Sequence, residues 1–492
     1  MRALLVSLLG TAAVLAGLPV APAASSAAPG STARDSLAVR GSASGVLLTL
    51  TSAPGPADDL TSVTLTATGV DGLGLANAPV TIERVGSGSW VRAADVVTDA
   101  AGVTTFALPV ARTPDDNRLR ATYAGDATHP AAVSAEHALT LVPRESRLRL
   151  RGPRRVVDEQ TGTLRVEWTT ARGAPVAGPV QLQRRLVARP GERMTPAQRR
   201  AQPWRTVQQV ETAADGSASV EVRPRATFRW RAVVGDQSWL SGTRSRVLTL
   251  RNLPPGVPVR LPRAAPRPRI SLPPQPRATG PGVHAVVREI PDGVWRQMVG
   301  RSWRPGCPVG RAGLRLVQLN YYDFDGYRRR GELVVNAGIT GQVVSAFTEW
   351  HERRMPIRSM YRVDRFGWSP RLRGADDYAS MAAGNTSAFN CRQVVGNPRV
   401  RSPHSWGRSV DINPWENPYR SRAGIVPNTW WASRSHARVA WRSPSHPVVA
   451  LMRRHGFRWT YGRRDNHHFD AAGATGRLAA VLAGDRCGGV CK

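Results

Sequence analysis

Ser402-Pro-His404-Ser-Trp-Gly407-Arg-Ser409-Val-Asp411-Ile-Asn413-Pro414, read together with Asp465-Asn-His467-His468-Phe469, decides the class of the C-terminal part. Val410 and Ile412 flank Asp411, so the run reads as a short buried strand that carries a carboxylate. Burying that group is costly unless it is paired or holds a metal. Gly407 permits the sharp turn that brings His404 back over the strand. His404 and Asp411 thus offer two ligands of a candidate zinc site, and the Asp-x-x-His element offers a third. Adjacent strand residues point to opposite faces, so only one of His467 and His468 is expected to ligate. Hydrolysis of an amide needs a Lewis acid with an open position, usually held by three His or carboxylate ligands, and a general base beside it. Asp465 takes the place of that base.

The surroundings mix strands and helices without strict alternation, the mark of an α+β domain. Gly331-Glu-Leu-Val-Val-Asn336 reads as a strand. Val343, Val344, Phe347 and Trp350 recur at helical spacing over 338–355, and Pro356 ends that helix. Residues 357–363 read as a second strand. A helix follows over 446–456, with Pro447 in its first turn and Gly456 at its C-cap, and a closing helix is predicted over 472–482. Glu349-Trp-His351-Glu352 resembles a helical zinc motif in outline, but Met355 stands where the second histidine belongs. It reads as a solvated helix face. Asp323 and Asp325 read as turn residues, while Trp415, Trp430 and Trp431 either rim a cleft or pack. Cys307, Cys391, Cys487 and Cys491 suggest disulfides, with three pairings open.

Upstream, ten prolines interleaved with arginines crowd residues 252–282. Such a stretch forms neither helix nor central strand and predicts an extended, semi-rigid linker. Before it lie two copies of one module, over 43–142 and 146–250, with short alternating apolar runs between turn residues, the pattern of a β-sandwich. Ala78-Pro-Val-Thr-Ile82 is echoed by Gly178-Pro-Val-Gln-Leu182, and Val96-Val-Thr-Asp-Ala-Ala-Gly102 by Val210-Glu-Thr-Ala-Ala-Asp-Gly216. Residues 1–23 have the charged start, apolar core and Ala21-Pro-Ala23 end of a secretory signal peptide, which predicts a secreted, extracellular or wall-associated chain without a later membrane span. The net charge of +33 comes from the middle and C-terminal parts, and Lys492 is the only lysine. Guanidinium pairs well with phosphate and carboxylate. In a secreted chain this favours anionic wall polymers over nucleic acid.

Ser402-x-His404-x-x-Gly407-x-Ser409-x-Asp411 resembles the Ser-x-His-x-x-Gly-x-Ala-x-Asp signature of zinc D-alanyl-D-alanine carboxypeptidases, and within them the VanY-like and phage-endolysin branch. The flanking words agree: Met381-Ala-Ala-Gly-Asn-Thr-Ser-Ala-Phe-Asn-Cys-Arg392, Ile412-Asn-Pro-Trp-Glu-Asn-Pro-Tyr419, Met452-Arg-Arg-His-Gly-Phe457 and His468-Phe469. The resemblance covers roughly 331–482, within a domain over 283–492. It implies a hedgehog-like fold, one Zn2+ held by His404, Asp411 and His468, and cleavage of peptidoglycan stem peptides. It also implies Asp465 as the base, Arg392 as the group that polarises the scissile carbonyl, and Ser402 as a substrate contact. Ser409 replaces the usual alanine. The repeats resemble bacterial immunoglobulin-like domains, which implies spacers or adhesive modules. A carboxypeptidase, an endopeptidase with the same zinc residues and a non-catalytic wall-binding protein all fit these features.

Overall fold

A computed structural model of the chain describes residues 45–192, 194–421 and 424–472. The signal segment, Cys487, Cys491 and all but the first residue of the predicted closing helix lie outside them. The described residues form two compact units: 45–53, 61–108 and 118–139 make one, and the other described residues make the second. Among the described residues no helix is long and apolar enough to cross a membrane.

The first unit is a β-sandwich. Leu47–Ser52, Leu60–Thr68 and Val103–Pro109 form one sheet, and Ser89–Val97, Pro79–Gly86, Arg118–Tyr123 and two short strands form the other. In Leu60–Thr68 the residues Val63, Leu65 and Ala67 are buried and their neighbours Ser62, Thr64 and Thr66 are not, which is the period-two pattern of a sheet with one face in a core. Tyr123 donates to Asp126 at 2.6 Å, and this bond pushes the phenol up to about 12.

Within the second unit, residues 146–253 repeat the plan. Ser146–Arg151, Gly162–Thr170 and Ser217–Val222 face a sheet ordered Arg155–Val157, Leu248–Leu253, Thr227–Val234, Gly178–Ala188, Arg205–Thr212. The turns match as well as the strands. Gly102 and Gly216 both sit at φ +74°, and a Cβ on either would come within 2.4 Å of a backbone oxygen.

Residues 254–282 hold no helix or ladder strand, and they are bound along the C-terminal part rather than left free. Gly256 and Val259 donate backbone hydrogen bonds to Gly326 and Phe324, Arg269 donates to Ala382, and Arg330 donates to Pro276. Gln275 is buried: its Nε2 donates to the Met360 carbonyl and its Oε1 accepts from the Met360 amide, both at 2.7 Å. Arg277 reaches back to Asp158 of the second sandwich at 2.7 Å.

The C-terminal part opens with an antiparallel sheet of Val286–Glu289, Leu314–Tyr322 and Arg328–Asn336. Helix Thr340–Glu352 covers it with Val343, Ala346, Phe347 and Trp350. A smaller sheet, ordered Ser409–Asp411, His468–Ala471, Phe457–Arg458, joins the same core through Val410, Phe469 and Phe457. Helix Pro447–Arg454 starts as predicted, with Pro447 in its first turn and the His446 ring accepting from the Val448 amide. Trp415 and Trp431 pack; both are buried. Asp323 stabilises a turn, accepting from the Tyr327 amide at 2.8 Å. Cys307 pairs with Cys391.

Two expectations fail here. Residues 357–363 form no ladder strand, because remote side chains occupy their backbone groups. The amides of Arg358, Met360 and Tyr361 donate to Asn413, Gln275 and Asn385 respectively. The Glu349-Trp-His351-Glu352 segment is solvated only in part: Glu352 is exposed, the other three are not. Glu349 pairs with Arg454 and His455, and His351 is buried against Tyr322 with ring centroids 4.9 Å apart.

Burial, with smaller repulsion from Arg328 and Arg354, holds His351 down at about 4. A depressed folded value gives stability that is complete above the unfolded value near 6.5 and is lost as pH falls through about 4, a loss on the order of 3 kcal/mol. His351→Phe keeps the ring packing and removes the titration. Its melting temperature should therefore fall less than the parent's between about pH 7 and pH 4.5; equal falls would clear His351 of the effect.

Candidate active site

The register of two short strands builds the site. Asp411 pairs across the ladder with His468, Val410 with Phe469 and Ser409 with Asp470. Because the pleat alternates faces, Ser409, Asp411, His468 and Asp470 share one side while Val410 and Phe469 enter the core. His404 arrives from the 3-10 turn Pro403–Trp406, which Ser402 caps by accepting from the His404 amide at 3.4 Å. Gly407 ends that turn at φ +67°, and a Cβ there would lie 2.9 Å from the Asn336 amide nitrogen.

His404, Asp411 and His468 are all buried, and their ligand atoms converge. His404 Nε2 lies 3.1 Å from His468 Nδ1 and 3.1 Å from Asp411 Oδ2, and His468 Nδ1 lies 3.1 Å from Asp411 Oδ1. Around a tetrahedral zinc ion with bonds of about 2.0–2.1 Å, ligand atoms stand about 3.3 Å apart. Each Asp411 oxygen faces one of the two rings, and one ligand atom from each residue lies within 4.8 Å of the others, a spacing that could hold such an ion.

The outer nitrogens agree. His404 Nδ1 lies 2.6 Å from the Ala388 carbonyl, which can only accept, so its proton sits there and the Nε2 lone pair faces the triangle. His468 Nε2 lies 2.9 Å from Asp470 Oδ1, which leaves Nδ1 for the centre. Asp470 is fixed in turn by Ser409 Oγ and Thr460 Oγ1, each donating at 2.6 Å. Burial disfavours a charged His468, yet the carboxylates of Asp470 and Asp411 outweigh it and hold the ring up at about 10. A proton or a metal cation at Nδ1 answers the same two carboxylates.

An Asp470→Asn change keeps the shape but turns a strong acceptor into a weak one. Zinc affinity should fall by about 10- to 100-fold in chelator competition. An unchanged affinity would mean that Asp470 only fills space.

Asp465, fully buried, follows the 3-10 turn Gly462–Arg464 and bridges to Tyr419 by its backbone. His467 does not simply turn away. Its Nδ1 meets the Asn417 carbonyl, and its Nε2 lies 3.2 Å from Asp465 Oδ1 and 3.7 Å from Asp411 Oδ2. Arg392 is buried, with Nη2 donating to Asp377 at 2.8 Å and Nη1 to the Gln393 carbonyl at 3.0 Å. Its buried Nε–H meets no partner among the described residues. The Tyr419 ring lies 6.1 Å from that of His467, and burial holds its phenol protonated.

The sequence reading passed over Asp377, Tyr419 and Asp470 as site residues and gave Ser409 no role. The strand period could have found Asp470, two residues past His468.

A family model described as D-alanyl-D-alanine carboxypeptidase matches residues 395–471. That span holds His404, Asp411, Asp465 and His468, and the match supports a peptidase here. No curated protein matches the chain. Among solved structures, the D0-D1 domain of intimin aligns at 15% identity over 42% of this chain and 97% of its own, with a TM-score of 0.16. Escherichia coli alpha-2-macroglobulin in its native conformation aligns at 12% identity over 60% of this chain and 18% of its own, with a TM-score of 0.19. A marsupial T cell receptor aligns at 11% over 58% and 99%, with a TM-score of 0.20. Scores this low identify no fold.

Proposed function

We propose that the chain is a secreted, zinc-dependent peptidase that hydrolyses peptidoglycan stem peptides, of the D-alanyl-D-alanine carboxypeptidase kind. In this reading a hedgehog-like α+β domain over 283–492 does the chemistry, and two immunoglobulin-like sandwiches over 43–142 and 146–250 serve the wall. The observation that carries it is the buried triangle of His404, Asp411 and His468, with each imidazole proton drawn outward.

Those three residues would hold the zinc, which supplies Lewis acidity to the attacking water and the scissile carbonyl. Asp465 is the base that takes the proton. His467 Nε2, at 3.2 Å from Asp465, can share that proton while the Asn417 carbonyl fixes its ring. Arg392, anchored by Asp377, keeps an Nε–H for the oxygen that becomes negative. Ser402, whose hydroxyl caps the turn, would contact substrate only from that role. The depth of the residues keeps bulk water out, which strengthens every one of these charge interactions.

Mass spectrometry of defined muropeptides after digestion tests the reading. Loss of one terminal alanine names a carboxypeptidase; two internal fragments name an endopeptidase built on the same residues. Unchanged masses with zinc bound would remove the hydrolytic reading.

A further inference from the structure

We propose that the second sandwich carries a groove for a base-free polyanion, a chain of phosphodiesters of the poly(alditol phosphate) type. The groove, about 560 Å³, is lined by Arg184, Arg189, Arg205, Arg223, Arg225 and Arg277, and no carboxylate lines it. The acids nearby are already engaged. Asp158 meets Arg277 at 2.7 Å and Arg225 at 3.5 Å, and Glu159 meets Arg328 at 2.5 Å and Arg225 at 3.4 Å. Arg184 and Arg205 have no carboxylate partner among the described residues, yet they stand directly opposite one another across the antiparallel pair Gly178–Ala188 and Arg205–Thr212. Like charges in that relation destabilise a sheet. Arg184 is also half-buried, and desolvation lowers its affinity for its proton. A multivalent anion relieves both penalties at once, and guanidinium is the cation best shaped for phosphate.

The aromatic groups say which polyanion. Nucleic acid bound in a groove gains much of its affinity by stacking bases on open rings. Here Phe228 is the one aromatic ring that lines the groove, and the protein's own cation covers it, Arg184 lying over it at 4.5 Å. Phosphates find partners in this groove and bases do not. No groove residue belongs to the zinc site, so the inference stands or falls apart from the hydrolytic reading.

The test is equilibrium binding of poly(glycerol phosphate) to the full chain at several salt concentrations, with Arg184→Gln/Arg205→Gln compared against Arg199→Gln/Arg200→Gln. The control pair lies in the exposed helix Pro196–Arg200 and removes the same charge. The groove pair should weaken binding at least about tenfold and flatten the dependence of log affinity on log salt by about 1.5, while the control stays within about twofold. A far-UV circular dichroism spectrum and a cooperative melt like the parent's certify the fold, since relief of the Arg184–Arg205 repulsion is set against loss of the Arg184–Phe228 contact. Equal losses from both pairs, no binding by the parent, or an oligonucleotide of equal phosphate number bound as tightly would each overturn the proposal.

Discussion

Changing His404 to alanine is expected to strip the purified chain of zinc and to lower peptide hydrolysis by at least about 1000-fold. The change removes one of three vertices, its Nε2 lying 3.1 Å from both His468 Nδ1 and Asp411 Oδ2. Asp411 and His468 alone give two ligands, one fewer than a catalytic site usually supplies. Metal analysis of the variant and a melting curve with and without chelator separate loss of metal from loss of fold. A variant that keeps stoichiometric zinc and full activity would place the site elsewhere.

Asp465→Asn should behave differently. The amide keeps the volume of the side chain but cannot accept the proton, so zinc should stay while kcat falls by about 100- to 10,000-fold. The pair of variants thus separates holding the metal from moving the proton. If the asparagine variant turns over normally, the base lies elsewhere, and His467, 3.2 Å from Asp465, becomes the first residue to test.

The convergence of His404, Asp411 and His468 was legible because local rules place all three: a glycine-ended turn for His404 and one antiparallel register for Asp411 and His468. What surrounds them was less so. Asp377 holds Arg392 from fifteen residues away, and Thr460 reaches Asp470 from before the final strand. Neither follows from a period. The failed strand over 357–363 has the same cause: its apolar pattern was readable, but the amides of Gln275, Asn385 and Asn413 come from three separate segments. His351 was misjudged because its exposure is set by Tyr322, a partner on another element. The sandwiches were legible from repetition, since the same glycine turn recurs with the same φ.

The proline-rich strap bears on where cuts can fall. A free tether of that length would let an enzyme sweep a broad volume, with local concentration falling as the reach grows. Gln275 locked onto Met360, and Arg277 onto Asp158, remove that freedom. Whatever the second sandwich binds is therefore held at a constant offset from the pocket of His404, Asp411 and His468, so that any action there would fall at one measured distance from the grip rather than by random search.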